Sequence, residues 1–507
     1  MNDASPASSS DSSHHLLNPA LAESIETQVP PSERWLIDQS CRQVVLLWYG
    51  SAVFWLLFGS LLALIASIKM HTPWFLADTA WLTFGRVRPA HLNTMIYGWA
   101  SMSGIGTMLW LFARLCKTRL VWREALYMTA IYWNTLVAAG TLAILTGYST
   151  SVEWMEFPAW AAGPIAFAFF VIHIAAWKML ANRRKGHLYI SLWYLFGCTM
   201  WFPFLYLAAT VLIQTPASTG IAKMATNWWF AHNVLGLWLT PIGLASVYYF
   251  IPKVIGRPIH SYHFSLLGFW TLAIFYNWAG THHLIGGPLP AWVVTVGIVG
   301  SLMMFIPVTT VAINHHMTMV GYFHVLKTSP TLRFIVFGAM SYTAVSVQGS
   351  LQSIRAWNEI THFTHYTIAH AHLGVYAFFT MVAFGSMYYV MPRLVECEWP
   401  SANLIKIHFW GTAIGMSMYW IGLTWHGVEQ GLAMNNPDIP FIEIVQRTIP
   451  YLWSRSVAGT LMTIGHCAFA VSVWHMLRRH GATSTEPTLF TSPRRLFRFG
   501  QSARETT

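Results

Sequence analysis

Charge is the scarcest commodity in this 507-residue chain: Asp, Glu, Lys and Arg together make up 9% of it, against about 25% in a soluble globular protein. That deficit excludes an ordinary water-soluble domain. The five cysteines, Cys41, Cys116, Cys198, Cys397 and Cys467, stand far apart. No C-x-x-C-H occurs, which excludes a c-type haem attached to this chain, and no C-x-x-C suggests an iron–sulfur or zinc site. Carboxylates are almost missing from the apolar runs, which argues against a carboxylate-ligated iron. The formal charge of +11 is confined mostly to short loops and the C-terminal tail. It reads as membrane topology rather than nucleic-acid binding.

What is abundant is apolar surface. The chain is 55% hydrophobic, and many of its runs exceed the roughly 18–20 residues that cross a bilayer. The 27 Trp and 20 Tyr outnumber what interfacial belts need, so some should pack between helices or against flat ligands. These features predict an all-α polytopic membrane protein of about twelve spans, near residues 43–68, 89–113, 122–147, 159–181, 188–213, 226–251, 263–285, 289–313, 333–353, 366–391, 403–425 and 450–477. Residues 1–40, polar and Ser-rich without a signal-peptide pattern, read as a disordered cytoplasmic extension. Residues 41–480 form the membrane domain, and 481–507 a basic cytoplasmic tail. Connections rich in Lys and Arg (Arg114/Lys117/Arg119/Arg123, Arg183/Arg184/Lys185, Lys253/Arg257) alternate with connections poor in them, which places both termini in the cytoplasm.

The histidines carry the chemistry. Of 23, His14, His15, His187, His315, His316 and His480 read as solvated loop or tail residues. His173, His408, His466 and His475 read as helix-packing residues. Six others, His91, His232, His282, His283, His370 and His372, all fall in the outer third of the membrane once span directions are assigned. Ionisable groups in a bilayer are costly and generally functional, and imidazoles gathered at one depth suit a metal centre. His370 and His372 are two apart on a helix and so point about 200° apart. They can serve two centres but not one. His91 can join one of them as a bis-histidine haem, leaving the other haem with an open position. His232, His282 and His283 suit copper. An open haem iron facing a three-histidine copper is a site for splitting a diatomic molecule.

The stretches "RPAH", "AHNVLG.W.TP....VYYFIPK", "FYNWAGTHHL" and "T.AHAHLG" resemble, in order and placement, the catalytic subunit of haem–copper oxygen reductases, most closely subunit I of cbb3-type cytochrome c oxidases. The likeness covers roughly residues 43–478. It implies a terminal oxidase of the bacterial inner membrane that reduces O2 to water with electrons from membrane-anchored c-type cytochrome subunits, coupled to proton uptake and translocation. It further implies two b-type haems and one copper: His91 and His372 on low-spin haem iron, His370 on high-spin haem iron, and His232, His282 and His283 on copper. Tyr276 would be the catalytic tyrosine, covalently joined to His232. In other oxidases that tyrosine follows the first copper histidine as H-x-x-x-Y, a position held here by Gly236. Tyr276 instead lies seven residues before His283, which on one continuous helix is almost two turns away on the same face.

Thr240, Tyr248, Tyr262 and Ser265 match the family's proton pathway, and Glu153 and Glu156 lie where it has a calcium-binding carboxylate. The chain departs from the cbb3 pattern at Gln348-Gly349-Ser350, where Glu-Gly-Pro is usual, and at His365, where an aspartate is usual. Two alternatives remain at this level. A nitric oxide reductase shares the fold, and a twelve-span secondary transporter would need midplane charged pairs.

Overall fold

A computed structural model describes residues 29–184, 186–216 and 218–478. The tail at 481–507, His14, His15, His480, Lys185 and the first 28 residues lie outside them. Among the described residues, twelve helical rods follow one another: α1 (Pro31–His71), α2 (84–116), α3 (Arg123–Thr146), α4 (Ala159–Ala181), α5 (Ile190–Gln214), α6 (Gly220–Ile255), α7 (Tyr262–Tyr276), α8 (Ala291–Met319), α9 (Pro330–Gln352), α10 (His365–Val395), α11 (Ala402–Met434) and α12 (Phe441–Arg478). Nine of these are long and apolar enough by composition to cross a membrane. α2, α7 and α11 fall short on apolarity or unbroken length.

Short polar side chains start several rods by satisfying otherwise unpaired N–H groups. Ser261 accepts from Phe264 N at 3.2 Å ahead of α7, Ser329 from Leu332 N at 3.2 Å ahead of α9, and Ser401 from Leu404 N at 3.3 Å ahead of α11. α8 is interrupted at Met304, where Pro307 offers no N–H to the carbonyl four residues back. Neighbours in sequence are neighbours in space, and α12 returns to α1. α2, α6 and α10 form the inner layer and touch one another. Their burial follows: the apolar window of α6 is 94% buried and that of α10 is 89%, against 50% for α1.

Three expectations need correction. The first helix begins at Pro31, inside the segment read as an extension. Its polar start is tied down by Asp38, which accepts from Trp110 Nε1 at 2.9 Å and pairs with Arg114 at 3.2 Å. α7 stops at Tyr276, and a separate 3-10 turn, Ala279–Leu284, carries His282 and His283. The tyrosine and the two histidines therefore do not share a helix face. His315 and His316 lie in α8 rather than in a loop, and His315 is buried.

Candidate metal centre and its surroundings

The three inner rods share an irregularity that periodicity did not reveal. Each contains a π-helical stretch just beyond its histidines: Thr94–Ala100 after His91, Val234–Leu239 after His232, and Leu373–Thr380 after His372. A π turn adds a residue and rotates everything beyond it, so the histidine end and the opposite end of each rod can be aimed independently. Such insertions concentrate at functional sites.

His232 on α6 and His282 and His283 on the 3-10 turn converge, their candidate ligand nitrogens all lying within 4.8 Å of one another. Gly280 allows the approach: a Cβ there would come 2.5 Å from the Trp228 carbonyl oxygen of α6. His283 stacks on Trp228 with centroids 4.4 Å apart. The tautomer of His282 can be derived. Ser301 on α8 donates its hydroxyl proton to the Gly297 carbonyl at 2.8 Å, so at 2.8 Å from His282 Nδ1 its oxygen must accept. Nδ1 carries the proton and Nε2, which has no partner among the described residues, keeps a free lone pair. His232 Nδ1 is likewise buried without a partner. Orphaned buried nitrogens facing one another fit a metal that prefers neutral imidazole.

His370 lines the same cavity as His232, His282 and Tyr276, and no carboxylate borders it among the described residues. The Tyr276 ring lies 4.6 Å from that of His232. It fills the space over Gly236, where a Cβ would sit 1.7 Å from Tyr276 Cε1. On the other side of α10, His91 and His372 line a second cavity together with Arg88, Tyr419 and Arg455. His91 Nδ1 donates to the Gly59 carbonyl and His372 Nδ1 to the Ile368 carbonyl, each at 2.9 Å. Because a carbonyl can only accept, both Nε2 atoms keep a lone pair that a metal could take, with the Tyr419 hydroxyl 3.4 Å from His372 Nε2. A bond of this kind on the other ring nitrogen orients ligand histidines in general. Imidazole nitrogens gathered at both cavities suit haem iron and copper.

Other predicted residues fall into place unevenly. Thr240 borders the first cavity. The Tyr248 hydroxyl is buried without a hydrogen-bond partner. Tyr262 donates to the Leu188 carbonyl, and Ser265 donates to the Tyr262 carbonyl at 2.6 Å, so both hydroxyl protons rest on backbone oxygens while the hydroxyl oxygens can still accept. Glu153 pairs with Arg88 at 2.5 Å. Glu156, in the loop ahead of α4, is 3% exposed. It accepts from Asn93 at 2.8 Å through one oxygen and has no partner for the other. Burial pushes its carboxyl up to about 7, with the Asn93 bond opposing. Gln348 accepts from Trp420 and donates to Thr424, each at 3.2 Å, while His365 Nδ1 meets Gln430 Oε1 at 2.9 Å. His408 and His466 are packing histidines bonded to Tyr388 at 2.9 Å and to Tyr376 at 2.6 Å.

Ser301, Tyr342 and Arg455 escaped the sequence reading. Arg455 left a signal, a lone guanidinium inside an apolar run. Ser301 left none, because its partner is set by the fold.

Known proteins resemble this chain. Residues 43–461 match the family described as cytochrome c and quinol oxidase polypeptide I. A cytochrome c oxidase subunit 1 homolog of Bradyrhizobium diazoefficiens bacteroids is 30% identical over 84% of this chain and 80% of its own length. The cbb3-type cytochrome c oxidase subunit CcoN1 of Stutzerimonas stutzeri is 29% identical over 84% of this chain and 93% of its own. A nitric oxide reductase of the latter organism matches only 26% of this chain, at 27% identity. A solved haem–copper terminal oxidase aligns over 89% of this chain and 86% of its own with a TM-score of 0.70 at 17% identity, a likeness of fold. With twelve rods, a three-imidazole cluster facing a fourth histidine, and this breadth of likeness, the chain belongs to the haem–copper oxidase family as a subunit I of the cbb3 type.

Proposed function

We propose that this chain is the catalytic subunit of a terminal oxidase that reduces O2 to water, fed with electrons by membrane-anchored c-type cytochromes and with protons from the cytoplasm. The observation that carries the reading is the convergence of His232, His282 and His283, the first two of which line one cavity with His370 and Tyr276. His232, His282 and His283 would hold copper, His370 the iron of a high-spin b haem, and His91 with His372 the iron of a low-spin b haem. When bound, these groups take up O2 and pass electrons to it.

The chain's own residues do the rest. Ser301 and the Gly59 and Ile368 carbonyls fix ring orientations. Arg88 and Arg455, at the low-spin cavity, supply positive charge for carboxylate substituents of a haem. Tyr276 holds a proton at its phenol oxygen beside His232. That proton can be given up together with an electron when O2 bond cleavage demands both, since four electrons and four protons are consumed per O2. A carbon–nitrogen bond between Tyr276 and His232, formed with O2 as the oxidant that takes up the two protons and two electrons released, would lock this placement. Thr240 and Tyr248 lie on the route by which protons arrive. Among the described residues no carboxylate lines the cavity, which weighs against nitric oxide reduction, for which the family's relatives use a glutamate beside the non-haem metal.

The purified complex should contain two b haems and one copper per copy of this chain and should consume O2 far faster than NO. Iron in place of copper, with NO the better substrate, would overturn the reading.

Glu156, with its unpaired oxygen, is proposed as a calcium ligand next to the Glu153–Arg88 pair. Its carboxyl is protonated below about 7 in the folded chain, so the stability this contributes is full at low pH and is lost as pH rises through that value. Calcium must displace the proton. Affinity measured by titration calorimetry should therefore be roughly tenfold weaker at pH 6 than at pH 8, and Glu156→Gln should bind weakly at both. An affinity independent of pH would show that this carboxyl is not a ligand.

A further inference from the structure

One buried ionisable side chain has no part in the scheme above. His315, on α8, is 7% exposed and its Nε2 has no hydrogen-bond partner among the described residues. Its ring lies 4.5 Å from that of Tyr248 on α6, at 63°. The turn of helix bearing it is firmly anchored. Asn314 donates to the Ser261 carbonyl at 2.7 Å and accepts from Ser261 N at 2.9 Å, and Thr318 accepts from His260 N at 3.0 Å. The imidazole is thus held in place by its neighbours' bonds while its own nitrogen stays uncommitted. An unsatisfied buried nitrogen costs stability, and within a membrane protein such a group is by default functional.

Two further observations give the ring a direction. On one side it borders a largely apolar groove on the flank of the bundle, whose end here is formed with His316, Met319 and Phe323. On the other side stands Tyr248, whose ring stacks with that of Tyr194 at 5.8 Å. The hydroxyls of Tyr248, Tyr194 and Tyr342 are all buried without a hydrogen-bond partner. Tyr342 borders the cavity that contains Tyr276 and His370. Tyr248 is sixteen residues beyond His232 on α6, roughly 24 Å along its axis. His315 therefore marks the end of the bundle remote from the metal-binding histidines.

We propose that His315 is the proton-intake residue of the route through Tyr248. Its neutral imidazole accepts a proton at one ring nitrogen from water at the groove end and releases the proton of the other to the Tyr248 hydroxyl. That hydroxyl passes its own proton on toward Tyr342, so the ring ends neutral and no charge is left behind. Imidazole suits intake because one ring nitrogen can accept a proton while the other releases one, which a single phenol oxygen on a fixed ring does less readily. The inference rests on the proposed route and adds its starting point.

The test uses the assembled complex carrying His315→Gln, His315→Gly or Tyr248→Phe. Turnover is counted per haem, and proton uptake from the medium is followed with a pH-indicating dye during a single turnover. Glutamine keeps volume and polarity but cannot relay. His315→Gln should slow O2 turnover and proton uptake together by about tenfold or more, with anaerobic haem reduction unchanged. His315→Gly should be slowed alike and restored by free imidazole at a concentration harmless to the unmodified complex. Wild-type uptake in His315→Gln, or a His315→Gly defect that imidazole leaves untouched, would overturn the assignment. If Tyr248→Phe is slow while His315→Gln is not, only the intake role fails. If neither is slow, the route itself fails.

Discussion

Leucine in place of His370 is expected to leave a complex that retains the absorption bands of a six-coordinate b haem and loses O2 turnover by at least about a thousandfold, the upper scale on which loss of a reaction-centre group acts. The reason is the geometry of α10. His370 faces the cavity shared with His232 and His282, whereas His372 faces the one shared with His91. Removing one ring disturbs one cavity and spares the other. Carbon monoxide distinguishes the two, since it binds only an iron with an open position. His370→Leu should lose the carbon monoxide difference spectrum and keep the low-spin bands. His91→Leu should keep carbon monoxide binding and lose the low-spin bands, with electron delivery to the site slowed. The opposite pairing would exchange the roles of the two cavities. Loss of both haems in both variants would mean that the histidines serve the fold instead.

Such an experiment can be designed from the sequence because ligand chemistry is local. A run of some twenty apolar residues reveals a span, the alternation of basic connections reveals its direction, and a histidine inside it reveals a costly group with a task. His91, His232, His370 and His372 were legible in that way. What escaped depends on partners far along the chain. The break after Tyr276 leaves no signature in "FYNWAGTHHL", because it is set by the packing of the 3-10 turn on α6 and α8, where Gly280 meets the Trp228 backbone. Glu156 looks like a loop carboxylate until Asn93, sixty-three residues earlier, is seen to bury it. His315 follows the predicted end of its span and is buried by Tyr248. The π-helical stretches in α2, α6 and α10 are a register property, invisible to a count of apolar positions that assumes one constant pitch.

Alanine in place of Gly236 should be nearly as damaging as loss of the tyrosine hydroxyl, although it adds only a methyl group. The H-x-x-x-Y arrangement of other oxidases would put a tyrosine at position 236, and here that space is filled by the Tyr276 ring from α7. A Cβ on residue 236 would lie 1.7 Å from Tyr276 Cε1 and 1.9 Å from Cδ1, distances no packed atom tolerates, so the ring must leave. The placement of Tyr276 therefore requires glycine at 236. Tyr276→Phe keeps the ring and its packing and removes only the proton-bearing oxygen. It should preserve haem and copper content and slow turnover by about a hundredfold to ten-thousandfold. Gly236→Ala keeps the hydroxyl and displaces it from His232, and it should slow turnover on the same scale. The two losses should not add in the double variant, because each removes the one function of placing a phenol beside His232. A fast Tyr276→Phe enzyme would reduce the tyrosine to a packing residue. A fast Gly236→Ala enzyme would show that the ring's position over residue 236 is dispensable, and the pairing would have no catalytic meaning.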